Sequence, residues 1–246
     1  MKLDLSEKHA AFQGDRHYWE RARAAFVLKL LDSLDESTGT LLDVGCGDGY
    51  LVRRMAERFP ERHFFAVDSA FTPEQMTNLR TDRIEPATMI DFENPGRCNA
   101  ATLFDVLEHI DDDDAFLSSL YAYLAPGGQA VFTVPAFQFL FGAHDRMLSH
   151  FRRYSHPELV AKLRRAGFEV TESGYFFSSL LGPRLLLKCL GRDAAGAVGH
   201  GAVRPLVMNA LLDKILQLDA GICRALARLG IRIPGLSVYA LCRKPS

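Results

Sequence analysis

Three aspartates stand where short apolar runs end. Asp43 lies in Thr40-Leu41-Leu42-Asp43-Val44, just ahead of Gly45-Cys46-Gly47-Asp48-Gly49. Asp68 closes His63-Phe64-Phe65-Ala66-Val67, and Asp91 follows Ala87-Thr88-Met89-Ile90. Glycines after a strand let the backbone approach a ligand closely. Strand, glycine turn, helix is the order of a nucleotide crevice at the carboxyl ends of a parallel sheet. Here the spacing is Gly-x-Gly-x-Gly, not the Gly-x-Gly-x-x-Gly of a dinucleotide site. An acid beside the turn disfavours a pyrophosphate and favours a ligand with an ammonium or sulfonium group. Asp68 can accept both hydroxyls of a ribose, and Asp91 can accept from an adenine amine.

A second group of reactive side chains follows the fourth and fifth apolar runs. His109 comes after Phe104-Asp105-Val106-Leu107-Glu108. Then Pro135–Tyr154 brings Phe137, Phe139, Phe141, His144, His150, Arg152, Arg153 and Tyr154 into one loop. A long loop at the functional end of a sheet is more often a site than packing. A hydroxyl acceptor needs a base, and His109, His144 and His150 are the candidates, with Tyr154 beside them. Phe137, Phe139 and Phe141 read as a lid or acceptor wall. Arg152 and Arg153 can meet an anionic acceptor. Asp111-Asp112-Asp113-Asp114 leads straight into a helical pattern and reads as a helix N-terminus, so no metal is assigned.

The elements that carry these residues alternate. A helix occupies about the first 35 residues, with Tyr18, Ala22, Ala25 and Phe26 at helical spacing. Strands are expected at Thr40–Val44, His63–Asp68, Ala87–Ile90, Ala100–Val106, Gln129–Val134, Phe168–Ser173 and Ser237–Cys242. Helices are expected at Tyr50–Phe59, Pro73–Leu79, Asp113–Leu124 and Pro157–Ala166. This predicts an α/β fold, a mostly parallel sheet with helices on both faces. About sixty residues before the last strand break the alternation. There Met208, Leu211, Leu212, Ile215, Leu218, Ile222, Leu226 and Leu229 trace a helical apolar stripe, with Asn209, Asp213, Gln217, Arg224 and Arg228 mostly opposite. The reading is one domain over 1–246, with an N-terminal helical cap at 1–36 and a helical insertion at 177–233.

The run Asp43–Gly49, with Asp68, Asp91, Phe104–Ile110 and Leu124-Ala125-Pro126-Gly127-Gly128, closely resembles the class I S-adenosylmethionine-dependent methyltransferases. That resemblance implies a Rossmann-like, seven-stranded sheet whose last strand is antiparallel. It implies that Gly45, Cys46 and Gly47 run along the methionine part of the cofactor and that Asp43 orients its amino end. Asp68, with Ser69, would hold the ribose. Asp91 and Phe92 would flank the adenine, and Asp105, Val106 and Leu107 would line the cofactor after the fourth strand. His17-Tyr18-Trp19-Glu20-Arg21-Ala22-Arg23 is similar to a His-Trp-Trp-Phe-Arg-Ala-Arg stretch of bacterial methyltransferases associated with polysaccharide and lipid-glycan genes, differing at Tyr18 and Glu20. His150-x-Arg152-Arg153-Tyr154 resembles the same subgroup. Trp19 and Arg21 therefore join the cofactor candidates, Arg21 favoured over Arg23 as partner of a carboxylate.

The implied reaction is methyl transfer from S-adenosylmethionine to a hydroxyl of a small or lipid-linked acceptor. An N- or C-methyltransferase of a soluble metabolite, and a non-catalytic cofactor-binding module, are the alternatives. Nucleic acid is not expected as partner. The net charge is −1, and Asp105-Val106-Leu107-Glu108 stands where base N-methyltransferases carry Asn/Asp-Pro-Pro-Tyr/Phe. Five scattered cysteines without C-x-x-C spacing, and charges that interrupt the N-terminus at once, fit a cytoplasmic chain. Residues 178–232 hold eight Lys/Arg against three Asp, a balance of +5. That basic, leucine-rich segment is read as a peripheral membrane contact, a lid or a dimer contact.

Overall fold

The computed structural model of the chain describes residues 17–34, 39–88, 96–191 and 206–246. Seven strands form one sheet: β1 (Gly39–Val44), β2 (Arg62–Val67), β3 (Ile84–Ala87), β4 (Cys98–Phe104), β5 (Leu124–Pro135), β6 (Glu169–Phe176) and β7 (Ser237–Arg243). Their order is β3-β2-β1-β4-β5-β7-β6. β7 runs antiparallel to both β5 and β6, and the other pairs are parallel. The strand order reverses between β1 and β4, and ligands of open α/β sheets bind at such a switch point. The register aligns Val44 with Val67 and with Leu103, so the three strands end at one level.

Eight helices lie among the described residues: α1 (Tyr18–Leu31), α2 (Tyr50–Arg58), α3 (Pro73–Leu79), α4 (Asp113–Tyr123), α5 (Ala143–Met147), α6 (His156–Arg165), α7 (Leu181–Cys189) and α8 (Leu206–Arg228). Their starts follow local chemistry. The Asp112 carboxylate accepts from the Ala115 amide at 3.0 Å and caps α4. Ser155 and Glu158 form a capping box on α6, and Pro157 sits in its first turn. Central strands are apolar on both faces because helices cover both. Leu42, Val44 and Leu103 pack in one core with Leu117, Leu120 and Leu159, while Leu41, Phe64 and Val131 pack in the other with Phe26, Val52 and Met55.

Three expectations shift. β3 covers Ile84–Ala87, upstream of the expected run, and carries Pro86. Among the described residues its outer edge is unpaired, so the missing N–H costs nothing there. Asp91 and Phe92 lie outside the described residues. The N-terminal helix begins at Tyr18, and what precedes residue 17 also lies outside them. The third shift concerns α8, which lies with α7 between β6 and β7 and is amphipathic in the reverse sense. Leu216, Ala220, Cys223 and Ala227 face inward, whereas Met208, Leu211, Ile215, Leu218 and Ile222 are exposed. Small residues set the inner face because the backbones approach closely there. A Cβ on Gly174 of β6 would stand 2.8 Å from the Ala227 Cβ. The polar residues expected to face water are paired instead. Arg224 bonds Glu172 at 2.7 Å, and Asp213 meets Arg21 at 3.3 Å.

Candidate active site

The glycine turn after β1 is wedged against the end of β4. Gly45 has φ +71°, and a Cβ there would stand 2.4 Å from Val106 Cγ2. Gly47 also has positive φ, and a Cβ there would meet nothing within 4 Å. Its amide donates to Asp68 Oδ2 at 2.9 Å, and the Ala70 amide donates to Asp68 Oδ1 at 2.9 Å. Two amides thus fix the Asp68 carboxylate at the end of β2. Each of its oxygens keeps a lone pair for a diol. Ser69 is exposed in the same turn.

Asp43 is buried. Its Oδ1 accepts from Thr102 Oγ1 at 2.6 Å, while Oδ2 has no partner. Burial pushes the carboxyl up to about 7, the Thr102 hydrogen bond opposes this, and the charge of Asp68 adds to it. An orphaned acceptor with that cost fits a cationic ligand group at the switch point. Burial and the neighbouring carboxylates raise the Cys46 thiol, so it is no nucleophile.

Past β4 the chain turns sharply at Asp105, φ +53°. Its Oδ1 accepts from Thr133 Oγ1 at 3.0 Å, and its Oδ2 forms an ion pair with Arg23. Arg21, the favoured arginine of the N-terminal stretch, is turned toward α8 by Asp213, so Arg23 is the one that reaches the end of β4. Positions 21 and 23 point to different sides of α1 because they are two helical steps apart. Trp19 packs on the Phe177 ring at 4.6 Å. Val106 is half-buried, and Leu107 is buried in the core.

The loop after β5 separates its candidates. His150 Nδ1 lies 2.9 Å from Asp145 Oδ1, and only 7% of the histidine side chain is exposed. Asp145 is fully buried and also accepts from Arg153 Nε at 2.7 Å and from the Gly142 amide at 2.9 Å. Burial alone would raise the Asp145 carboxyl, but those partners hold it well below the usual carboxylate range. The His109 and His150 rings meet edge to face at 4.5 Å. Beside them Glu108 is buried with both carboxylate oxygens unpartnered, and burial, reinforced by Asp105, pushes its carboxyl well up. Glu108, His109 and His150 place ligand atoms within 4.8 Å of one another. This group could hold a divalent cation, whereas the sequence reading assigned none. His144 sits on α5, half-buried.

Three of the remaining candidates, Tyr154, Arg152 and Arg153, are engaged by the protein itself. Tyr154 is buried, and its single O–H is shared between Asp113 Oδ2 at 2.8 Å and the Leu107 carbonyl at 3.1 Å, Asp113 being the nearer acceptor. It locks the loop to α4 and is not a proton acceptor: burial and the Asp113 contact raise its pKa further. Arg152 lies 3.2 Å from Asp113 and donates to the Asp111 carbonyl at 2.7 Å, and Arg153 serves Asp145. Both guanidinium groups are spent on the protein's own carboxylates, which leaves them poor partners for an anionic acceptor. Phe137 stacks on Phe139 and on Tyr175, each at 5.2 Å, and Phe139 is 57% exposed. Phe141 is half-buried, and its carbonyl accepts from Lys188 of α7 at 3.1 Å. Asp145 and Glu108 are functional candidates that sequence reasoning passed over, and Arg23 is the arginine it ranked below Arg21. An acid five residues before His150 was the available signal.

The chain is similar to a ubiquinone biosynthesis O-methyltransferase of Pseudomonas paraeruginosa, 28% identical over 196 residues, covering 66% of this chain and 83% of that protein. Among solved structures it is similar to the N-methyltransferase NodS of Bradyrhizobium japonicum in complex with S-adenosyl-L-homocysteine. The TM-score is 0.57 at 16% identity, with 96% of this chain and 92% of that one covered. The cyclase SpnF also shares the fold, with TM-score 0.59 at 19% identity and coverage of 95% and 85%. Fold therefore does not name the reaction. Residues 15–173 match the family model described as a methyltransferase domain. The chain belongs to that family and is a class I S-adenosylmethionine-dependent methyltransferase.

Proposed function

We propose that the chain transfers a methyl group to a hydroxyl of an acceptor with an apolar, ring-bearing body, and that His150 takes the hydroxyl proton. The His150–Asp145 pair carries the proposal. Asp145 stays ionised at any working pH, so it can only accept. Nδ1 of His150 is then the protonated nitrogen, which leaves Nε2 as the basic one. Asp145 stabilises the imidazolium that forms when the proton moves. The stacked Phe137 and Phe139 supply an apolar wall.

The cofactor fits the crevice on the orphaned Asp43 oxygen and the open space over Gly47. Asp43 would meet its ammonium end, Asp68 its ribose, and Arg23 its carboxylate. When bound it supplies an electrophilic methyl group on a sulfonium. The protein's share is to align donor and acceptor and to exclude water. The curated relatives named for ubiquinone biosynthesis, and the His17–Arg23 resemblance, support a lipid-linked acceptor. The test is His150→Gln with a panel of phenolic and glycosyl acceptors. Turnover is expected to fall by about 10²–10⁴ with cofactor affinity unchanged. An equal loss of both would give His150 a structural role.

Glu108 favours a second reading. Two unpartnered carboxylate oxygens beside His109 and His150 fit a divalent cation that polarises the acceptor hydroxyl. Chelation followed by magnesium or zinc separates the two: activity lost and restored supports the cation, and activity indifferent to chelator leaves His150 as base.

A further inference from the structure

The outward face of α8 carries a strict repeat. Met208, Leu211, Ile215, Leu218, Ile222 and Ala225, continued by Leu229 in the turn just past the helix, follow one another at alternating steps of three and four. All seven are exposed, among them Leu211 at 54%, Ile215 at 45%, Leu218 at 66% and Ile222 at 49%. The face opposite them packs against the chain's own α1 and β6. Among the described residues the helix therefore has one seam occupied at home and one left over.

The spacing of the free seam says what covers it. A two-step repeat averaging 3.5 residues is the seam of a supercoiled helix pair, and it is narrower than the face of a globular helix. One position of the repeat reads Met208, Ile215, Ile222, Leu229, and the other reads Leu211, Leu218, Ala225. β-branched residues at the first and leucine at the second favour a parallel two-stranded pair. On the flanks Lys214 is exposed, whereas the Asp219 carboxylate turns inward and accepts from the Ser179 amide at 3.3 Å. The exposed side chains of the seam amount to about 600 Å² per chain, or about 1,200 Å² per pair, the lower end of stable interfaces. A lipid surface fits less well. The seam carries no aromatic residue.

We infer that α8 pairs in parallel with α8 of a second copy of this chain, through the Leu211–Ile215–Leu218–Ile222 seam. The experiment is light scattering of the intact chain at tens of micromolar, alone and as Leu218→Glu, with anionic phosphatidylserine-containing vesicles as a parallel arm. The expected result is twice the 27.4 kDa chain mass for the parent. Leu218→Glu is expected to weaken association at least about a hundredfold, with an unchanged far-ultraviolet circular-dichroism spectrum. In a Cys189→Ser background, Leu211→Cys and Leu218→Cys are each expected to cross-link to their own counterparts under mild oxidation, whereas Gln217→Cys is not. A monomeric parent, a Leu218→Glu variant that stays dimeric, or vesicle binding by a monomer would overturn the inference. So would cross-linking of only one of the two seam cysteines, which signals an antiparallel pair.

Discussion

Asp43 holds the sharpest energetic tension of any residue at the crevice. Its folded-state pKa of about 7 lies above the ordinary carboxylate value of 3.8. Between those two values the folded chain keeps a proton that the unfolded chain has lost. Stability of the ligand-free protein therefore falls as pH rises from about 4 to about 7, and above 7 the full penalty is present. Asp43→Asn removes that penalty. The ligand-free variant is expected to be more stable than the parent at pH 8, by roughly 1–3 kcal/mol, with the gain vanishing toward pH 4. Its cofactor affinity is expected to fall. Melting curves at several pH values check the first part, and no gain at pH 8 would mean that Asp43 is better solvated than its burial implies. Tyr154→Phe tests the locking role of Tyr154. It removes one donor from Asp113, which keeps Lys162 and Arg152. We expect a loss of about 1–2 kcal/mol, or roughly 2–8 °C in Tm, with kcat within a few-fold of the parent. A kcat loss of a hundredfold at unchanged Tm would return Tyr154 to catalysis.

At the scale of elements, the sequence was legible where one signal dominated. The apolar run ending in Gly45-Cys46-Gly47 could only be a buried strand entering a turn, and β1 is there. Ser155-x-x-Glu158 with Pro157 marks the start of α6 without any tertiary knowledge. β3 was placed too far downstream, because Pro86 reads as a strand breaker until one knows that the strand is the sheet edge. α8 was misoriented because it has two candidate faces. Leucine and isoleucine outweigh Ala220, Cys223 and Ala227 on any hydrophobicity scale, yet only the small residues let the helix approach Gly174. Which face turns inward is a property of the partner surface. The same holds for Arg152 and Tyr154: their presence marks the loop, but their role depends on Asp113, about forty residues away in sequence.

For the whole molecule, the basic 178–232 segment is partly neutralised against the rest of the chain. Arg224 and Arg228 of α8 both reach Glu172, and Asp213 of α8 takes Arg21 of α1. The +5 segment is thus partly a clamp between the two ends of the chain, not a free basic surface. No helix among the described residues is long and apolar enough to cross a membrane. The sheet, its switch point and the clamp together hold three carboxylates, Asp43, Asp68 and Asp105, around one crevice. Calorimetric titration of S-adenosylmethionine into the intact chain and into Asp68→Ala tests that arrangement most directly. One site per chain with micromolar affinity is predicted for the parent, with at least about a tenfold loss in the variant, since two charge-assisted hydrogen bonds to the ribose go with the carboxylate. Undiminished affinity in Asp68→Ala, or no binding by the intact chain, would contradict it.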